Sequence, residues 1–199
     1  MKRIKERYAY LIELSFNTMM DWPSKFVGFR VLEFFLTHPS LEIHLNELAR
    51  NLEIARGSAK SYCDVFAEEG LILESTKGNL RLFRLNRDDF AVRELTRAYY
   101  LLKLKHLGIE RLAKGCTSLA IYGSFARGDI DERSDLDLLV IGEESSVDRD
   151  KFLKLQDALN REIQLTLLPY YRWETMKKDG DKFAESVLKK HILVSGVEL

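Results

Sequence analysis

The chain has 199 residues, 46% of them hydrophobic, and its 31 basic and 31 acidic side chains cancel to a formal net charge of zero. That length holds one large or two small domains with a real core, and the neutral balance excludes a general polyanion binder without excluding a local basic face. Two distant cysteines, Cys63 and Cys116, form no CxxC pair, and the four histidines (His38, His44, His106, His191) sit at no metal-ligand spacing. This excludes a disulfide framework and a structural zinc site, and points to reduced thiols in the cytoplasm. No apolar run approaches the roughly 20 residues of a bilayer span. The basic start, MKRIKERYAYLIELSF, is interrupted by Glu6 and Glu13 and lacks the apolar region of a signal peptide.

In chain order, residues 2–16 have the spacing of a short amphipathic helix, with Ile4, Tyr8, Leu11 and Ile12 on one side. Ser24 is placed to cap a second helix carrying Val27, Val31, Phe34 and Phe35, which His38-Pro39-Ser40 ends. Residues 46–52 and 58–69 read as two helices about a tight turn at 53–56, with Asn46 and Ser58 as cap candidates and Gly70 as the stop. LILESTKGNLRLFRLN alternates on both sides of Lys77-Gly78-Asn79, the signature of a hairpin. A helix over residues 89–107, with Leu95, Tyr99, Leu102 and His106 along one face, is the expected connector. From Cys116 the pattern changes. SLAIYG reads as a buried strand, SFARG as a turn or short helix, DLDLLVIG as a strand, DRDKFLKLQDALN as a helix and REIQLTLLP as a strand. A mostly helical tail follows over residues 173–191.

The order helix, helix–turn–helix, hairpin over residues 24–88 resembles the winged helix-turn-helix family. The resemblance implies a reader helix entering the major groove of double-stranded DNA through Arg56, Ser58, Lys60 and Ser61, with Lys77, Arg81 and Arg84 on the phosphates. Asp64, Glu68 and Glu69 follow on the same helix, and winged helices also dock proteins or dimerise. DNA binding and docking therefore both stay open, as does a homodimer through the first or connector helix.

The chemistry concentrates in YGSFARGDIDERSDLDLLV. Strand side chains alternate, so Asp135 and Asp137 point one way while Leu136, Leu138 and Val140 point into a core. Two carboxylates one pleat apart repel, and a divalent cation resolves that repulsion. An all-oxygen ligand set favours magnesium or manganese. Gly123 lets a backbone approach a phosphate, helix-start amides attract anions, and Ser124 adds a hydroxyl donor.

Gly-Ser, ten intervening residues and then Asp-x-Asp entering an apolar strand, with Ala126-Arg127-Gly128, Ser134 and Leu138 also in place, resembles the minimal nucleotidyltransferases of the DNA polymerase β-like superfamily, over residues from about 108 to 175. The resemblance implies Mg2+ (or Mn2+) on Asp135 and Asp137, and the β- and γ-phosphates of a nucleoside triphosphate, ATP, on Gly123 and Ser124. A hydroxyl would attack the α-phosphorus, with two metals activating the attacking oxygen and stabilising the leaving one. Arg127 is either a phosphate contact or a brace paired with Asp129 or Asp131. Relatives place a third carboxylate on the following strand, and the matching position here is Gln164 or a neighbour. Glu162 shares its face by alternation, so it either reaches the metal or faces solvent at the strand start.

The expected architecture is α+β. It has an N-terminal helix and winged helix-turn-helix over residues 1–88, a connector helix over 89–107, and a small nucleotidyltransferase α/β domain with a mixed sheet over 108–199. The expected function is Mg2+-dependent transfer of a nucleoside monophosphate, AMP, to a hydroxyl on a protein or small molecule. By resemblance, a HEPN-type protein is a partner class. The alternative is a DNA-binding regulator whose incomplete second domain senses nucleotide without turnover.

Overall fold

The computed structural model describes residues 25–199. The helix expected over residues 2–16 and the Ser24 cap lie outside the described residues. The chain divides into two units between Tyr99 and Tyr100, near the middle of the connector expected over residues 89–107.

In the first unit, α1 (Val27–Thr37) is followed by the two-residue strand β1 (Ile43–His44), α2 (Leu45–Asn51), α3 (Arg56–Glu68), β2 (Ile72–Lys77) and β3 (Leu80–Leu85). Phe26, with no side-chain bond, occupies the cap of α1. The caps of α2 and α3 also differ from expectation, because both helices start earlier. The His44 ring accepts the Asn46 amide, and Ala55 caps α3 with its backbone alone. Gly70 ends α3 as expected. Its φ of 73° is left-handed, which lets the Leu71 amide reach back to the Phe66 carbonyl at 2.8 Å.

The hairpin β2–β3 turns at Gly78, and β1 adds to its other edge to give an antiparallel sheet in the order β1-β3-β2. Phe83 and Leu85 face a core shared with Val31, Phe35, Leu48 and Cys63. Burial pushes the Cys63 thiol up to about 12, which makes it an inert core group.

Helix α4 (Phe90–His106) starts on Asp89, whose carboxylate accepts the Ala91 and Val92 amides. Its buried side runs through Val92, Thr96, Tyr99, Tyr100 and Leu104. Leu102 and His106, expected on that side, are exposed. The apolar stripe is shifted by one residue, and Thr96 joins it by returning its hydroxyl to the Val92 carbonyl.

The second unit carries a four-stranded mixed sheet in the order β6-β5-β4-β7, built from β4 (Ser118–Tyr122), β5 (Leu136–Ile141), β6 (Ile163–Leu168) and β7 (Ile192–Gly196). β5 and β6 run parallel, and the other pairs are antiparallel. A parallel pair needs a crossover. Helix α6 (Arg149–Leu159) provides it, capped by the Asp148 carboxylate on the Lys151 amide. Between β4 and β5 stands the short helix α5 (Gly123–Arg127). After β6 come α7 (Tyr170–Lys178) and α8 (Lys182–Lys189), and then β7, which the sequence reading missed.

One face of this sheet has two halves. Leu139, Ile141 and Leu168 lie under Trp173 of α7 and Ala184 and Val187 of α8. Buried apolar side chains of this size contribute roughly 1.5–3 kcal/mol each. The same face continues past these residues to Asp137.

Candidate active site

The register places the polar half. Asp137 pairs with Tyr122 on β4 and with Gln164 on β6, so the three side chains share one face of the sheet. Asp135 and Glu162 stand two residues earlier, each just ahead of its strand. At the border with the apolar half, the Tyr122 and Thr166 hydroxyls bond at 3.0 Å, and the Tyr122 ring meets Phe183 edge-on at 5.4 Å.

Gly123 opens α5 directly above this face. It has a φ of 67°, and a Cβ there would stand 2.8 Å from Asp137 Cγ and overlap its Oδ2 atom. Glycine is therefore needed twice, for its left-handed backbone and for the space Asp137 fills. Ser124 follows. Its carbonyl accepts the Gly128 and Asp129 amides at 2.9 and 3.1 Å, closing the short helix, and its hydroxyl is uncommitted among the described residues.

Neither Asp135 nor Asp137 accepts a hydrogen bond among the described residues. Burial pushes the Asp137 carboxyl above the ordinary carboxylate value, and the negative charge of Asp135 pushes it further. Arg127 opposes that rise, while its guanidinium lies 3.5 Å from Asp129. It thus takes the bracing position expected as one of its two roles and lends its charge to Asp137 as well. Burial also lifts the Tyr122 hydroxyl, and Asp137 adds to the lift against the Thr166 bond.

Two like-charged carboxylates without donors form a donor set suited to one hard divalent cation. A second cation finds less. Glu162 accepts the Gln164 amide at 2.9 Å, and among the described residues no three His, Cys, Asp or Glu side chains are grouped to hold a metal. Glu162, a candidate third carboxylate by sequence, shares the face but does not join Asp135 and Asp137.

Sequence reasoning passed over Arg161, at the α6–β6 junction. Its Nη1 donates to the carbonyls of Asp131 at 2.5 Å and Ser134 at 2.7 Å, just ahead of Asp135. A lone arginine between a helix and a strand carries no spacing signal, because its acceptors are backbone carbonyls remote in sequence.

The candidate DNA contacts of the first unit divide. Lys60 pairs with Asp64 at 2.6 Å. Arg81 also reaches Asp64 at 2.6 Å and is taken by Glu74, and its guanidinium lies 5.1 Å from the Phe83 ring centroid. These bonds lower the Asp64 and Glu74 carboxyls and raise Arg81. Arg56, Lys77 and Arg84 are exposed and make no ion pair among the described residues, and Ser58 is half-buried beside the exposed Ser61. Arg81 shares the inward face of β3 with Phe83, while Arg84 and Lys77 lie on the outer face.

Residues 108–194 match the family model described as nucleotidyltransferase domain, less than half of the 199-residue chain. No curated protein matches the sequence. The structure is similar to a possible transcriptional regulator from Methanosarcina mazei Go1, with 14% identity and a TM-score of 0.32, over 44% of this chain and 78% of that one. Among the described residues no helix is long and apolar enough to cross a membrane.

Proposed function

We propose that the second unit is a Mg2+-dependent nucleotidyltransferase that moves AMP from ATP to a hydroxyl on a protein or small molecule. The observation that carries this reading is Gly123 seated against Asp137, which brings the Gly-Ser turn and the two-carboxylate pair into one site. The nucleotidyltransferase match over residues 108–194 supports the same reaction class.

In this reading Asp135 and Asp137 hold the cation, and the bound cation supplies charge neutralisation at the phosphates. The Ser124 hydroxyl and the first amides of α5 hold phosphate oxygens of the leaving pyrophosphate. Arg127, beside Asp129, adds a positive charge at the mouth of the site. The acceptor oxygen bonds to the α-phosphorus, pyrophosphate leaves with the electron pair of the broken α–β bridging bond, and the acceptor's proton passes to water.

We also propose that the first unit is a winged helix-turn-helix, supported by its order of α1, α2, α3 and the hairpin β2–β3 with β1 on the edge. Because Lys60 and Arg81 spend their charges within the unit, a DNA contact would rest on Arg56, Lys77 and Arg84.

One observation favours the sensor reading. Gln164 stands in register with Asp137, where a third carboxylate would complete a two-metal site. The full chain incubated with α-labelled ATP, Mg2+ and cell extract separates the two readings. Label transfer that disappears in Asp135→Ala/Asp137→Ala supports the transferase. Nucleotide binding without transfer supports the sensor, and absence of both refutes the site.

A further inference from the structure

We propose that Arg161 is a positioning residue for the Asp135 and Asp137 pair. It fastens the loop ahead of these carboxylates to the aromatic support of the Gly-Ser helix, and so sets how tightly the site holds a divalent cation and its nucleotide. The proposal rests on the reading of that site given above.

The arginine leaves the chain one residue after Asn160, whose left-handed φ of 50° ends α6. Its guanidinium joins three pieces of the second unit that are remote in sequence. Nη1 donates to the Asp131 carbonyl at 2.5 Å and the Ser134 carbonyl at 2.7 Å. Nη2 donates to the Tyr100 hydroxyl at 2.8 Å. The guanidinium carbon lies 5.1 Å from the Tyr100 ring centroid and 5.7 Å from that of Phe125. Tyr100 and Phe125 meet edge-on at 5.2 Å.

Each piece bears on the site. Phe125 is fully buried and follows Ser124 on α5. Ser134 immediately precedes Asp135. Its hydroxyl accepts the Asp131 amide at 2.9 Å and donates to the Asp131 carboxylate at 3.0 Å, which also takes the Arg133 amide at 2.9 Å. This small network shapes the loop, and Arg161 fastens that shape to the helix carrying Gly123 and Ser124. Among the described residues Arg161 contacts backbone carbonyls, a hydroxyl and two rings and not the carboxylates themselves, so it acts on them through the geometry of the loop. Only a planar fork sets one nitrogen on two carbonyls and the other on the Tyr100 hydroxyl while its face rests on two rings, which lysine cannot reproduce.

The test is Mn2+ binding to the full chain, read from the electron paramagnetic resonance of free Mn2+, followed by ATP binding at fixed Mn2+. Wild type, Arg161→Ala, Arg161→Lys and Asp135→Ala/Asp137→Ala are compared. Loss of such a supporting contact weakens metal binding about 10-fold or more. Arg161→Ala is expected to raise the Mn2+ Kd by that factor with the number of sites per folded chain unchanged, and Arg161→Lys to fall between. A merely structural arginine would instead reduce the number of competent sites and leave their Kd alone. That result overturns the proposal, as does a wild-type Kd in both Arg161 variants. If Arg161→Ala does not fold, Arg161→Lys decides alone: a Kd raised on the order of threefold supports the proposal and an unchanged one overturns it. If wild type binds no Mn2+, the site reading itself falls and takes the proposal with it.

Discussion

Gly123 and Asp137 occupy each other's space: the position a Cβ on Gly123 would need is filled by the Asp137 carboxylate. The sequence reading asked for glycine so that a phosphate could approach the backbone. The structure adds a second demand, from inside the site, and the two demands make Gly123→Ala costly in separable ways. The left-handed φ of 67° costs an alanine on the order of 1–2 kcal/mol. The methyl group must also displace Asp137, which disrupts the carboxylate pair. Thermal unfolding should show a drop of a few degrees, and Mn2+ titration should show binding lost altogether. A Gly123→Ala protein that binds Mn2+ like wild type would mean that Asp137 is not a ligand.

Asp137 should reduce the stability of the cation-free protein. Its carboxyl is held above the ordinary value by burial first and by Asp135 second, against Arg127. The folded state therefore binds this proton more tightly than the unfolded state does. The stabilising contribution is present below the ordinary carboxylate range, near pH 4, and is lost as pH rises through the raised folded value. Asp137→Asn removes that loss. At pH 7 without divalent cation, the variant should melt about 1–3 °C above wild type, with the difference shrinking toward pH 4. Added Mn2+ should raise the Tm of wild type and not of the variant. An Asp137→Asn protein that melts below wild type at pH 7 would show that the carboxylate is already compensated by the fold.

How far the sequence carried this site depended on whether the relevant contact was local. Alternation alone put Asp135 and Asp137 on one face, because side-chain period is a property of a single strand. Gln164 was legible as the partner position once REIQLTLLP was taken as the next strand. The opposite faces of Arg81 and Arg84 were implied by their odd separation, yet grouping them by charge concealed it. Strand β7 was passed over because ILVSG follows two helices and its pairing with β4 is non-local. The one-residue shift in the buried side of α4 was set by Tyr100 and Leu104, both apolar enough to serve either face. Arg161 could not be read at all, since nothing in its neighbours announces that Tyr100, Asp131 and Ser134 will converge on it.

The first unit yields a prediction about charge that a simple count of basic residues would miss. Lys77 and Arg84 share the outer face of the hairpin, whereas Arg81 lies inward on Phe83 and is held by Asp64 and Glu74. In a shift assay with random duplex DNA across a salt series, Lys77→Ala and Arg84→Ala should each reduce the log–log salt slope by about 1. Arg81→Ala should leave the slope unchanged and instead lower the Tm by about 2–4 °C, through its two partly exposed ion pairs. A slope altered equally by all three would place Arg81 on the phosphates, and no retention at any salt would leave protein docking as the role of this unit.

Gln164 is the position where a single change should distinguish the two functional readings. It stands in register with Asp137 and donates to Glu162 at 2.9 Å, so beside the Asp135 and Asp137 pair stands an amide where a two-metal site requires a third acid. Gln164→Glu supplies one at nearly the same volume. Without divalent cation the added charge should repel Asp137 and Glu162 and lower the Tm by about 1–3 °C. With Mn2+ the same charge should become a ligand. The expected result is a rise from one to about two bound ions per chain, a Tm that recovers to or above that of wild type, and AMP transfer raised on the order of tenfold. A rise in bound metal without transfer would support the sensor reading, since the chemistry would then be missing for a reason beyond the metal. A Gln164→Glu protein that gains neither metal nor transfer would separate β6 from the site and leave Asp135 and Asp137 as a one-cation pair.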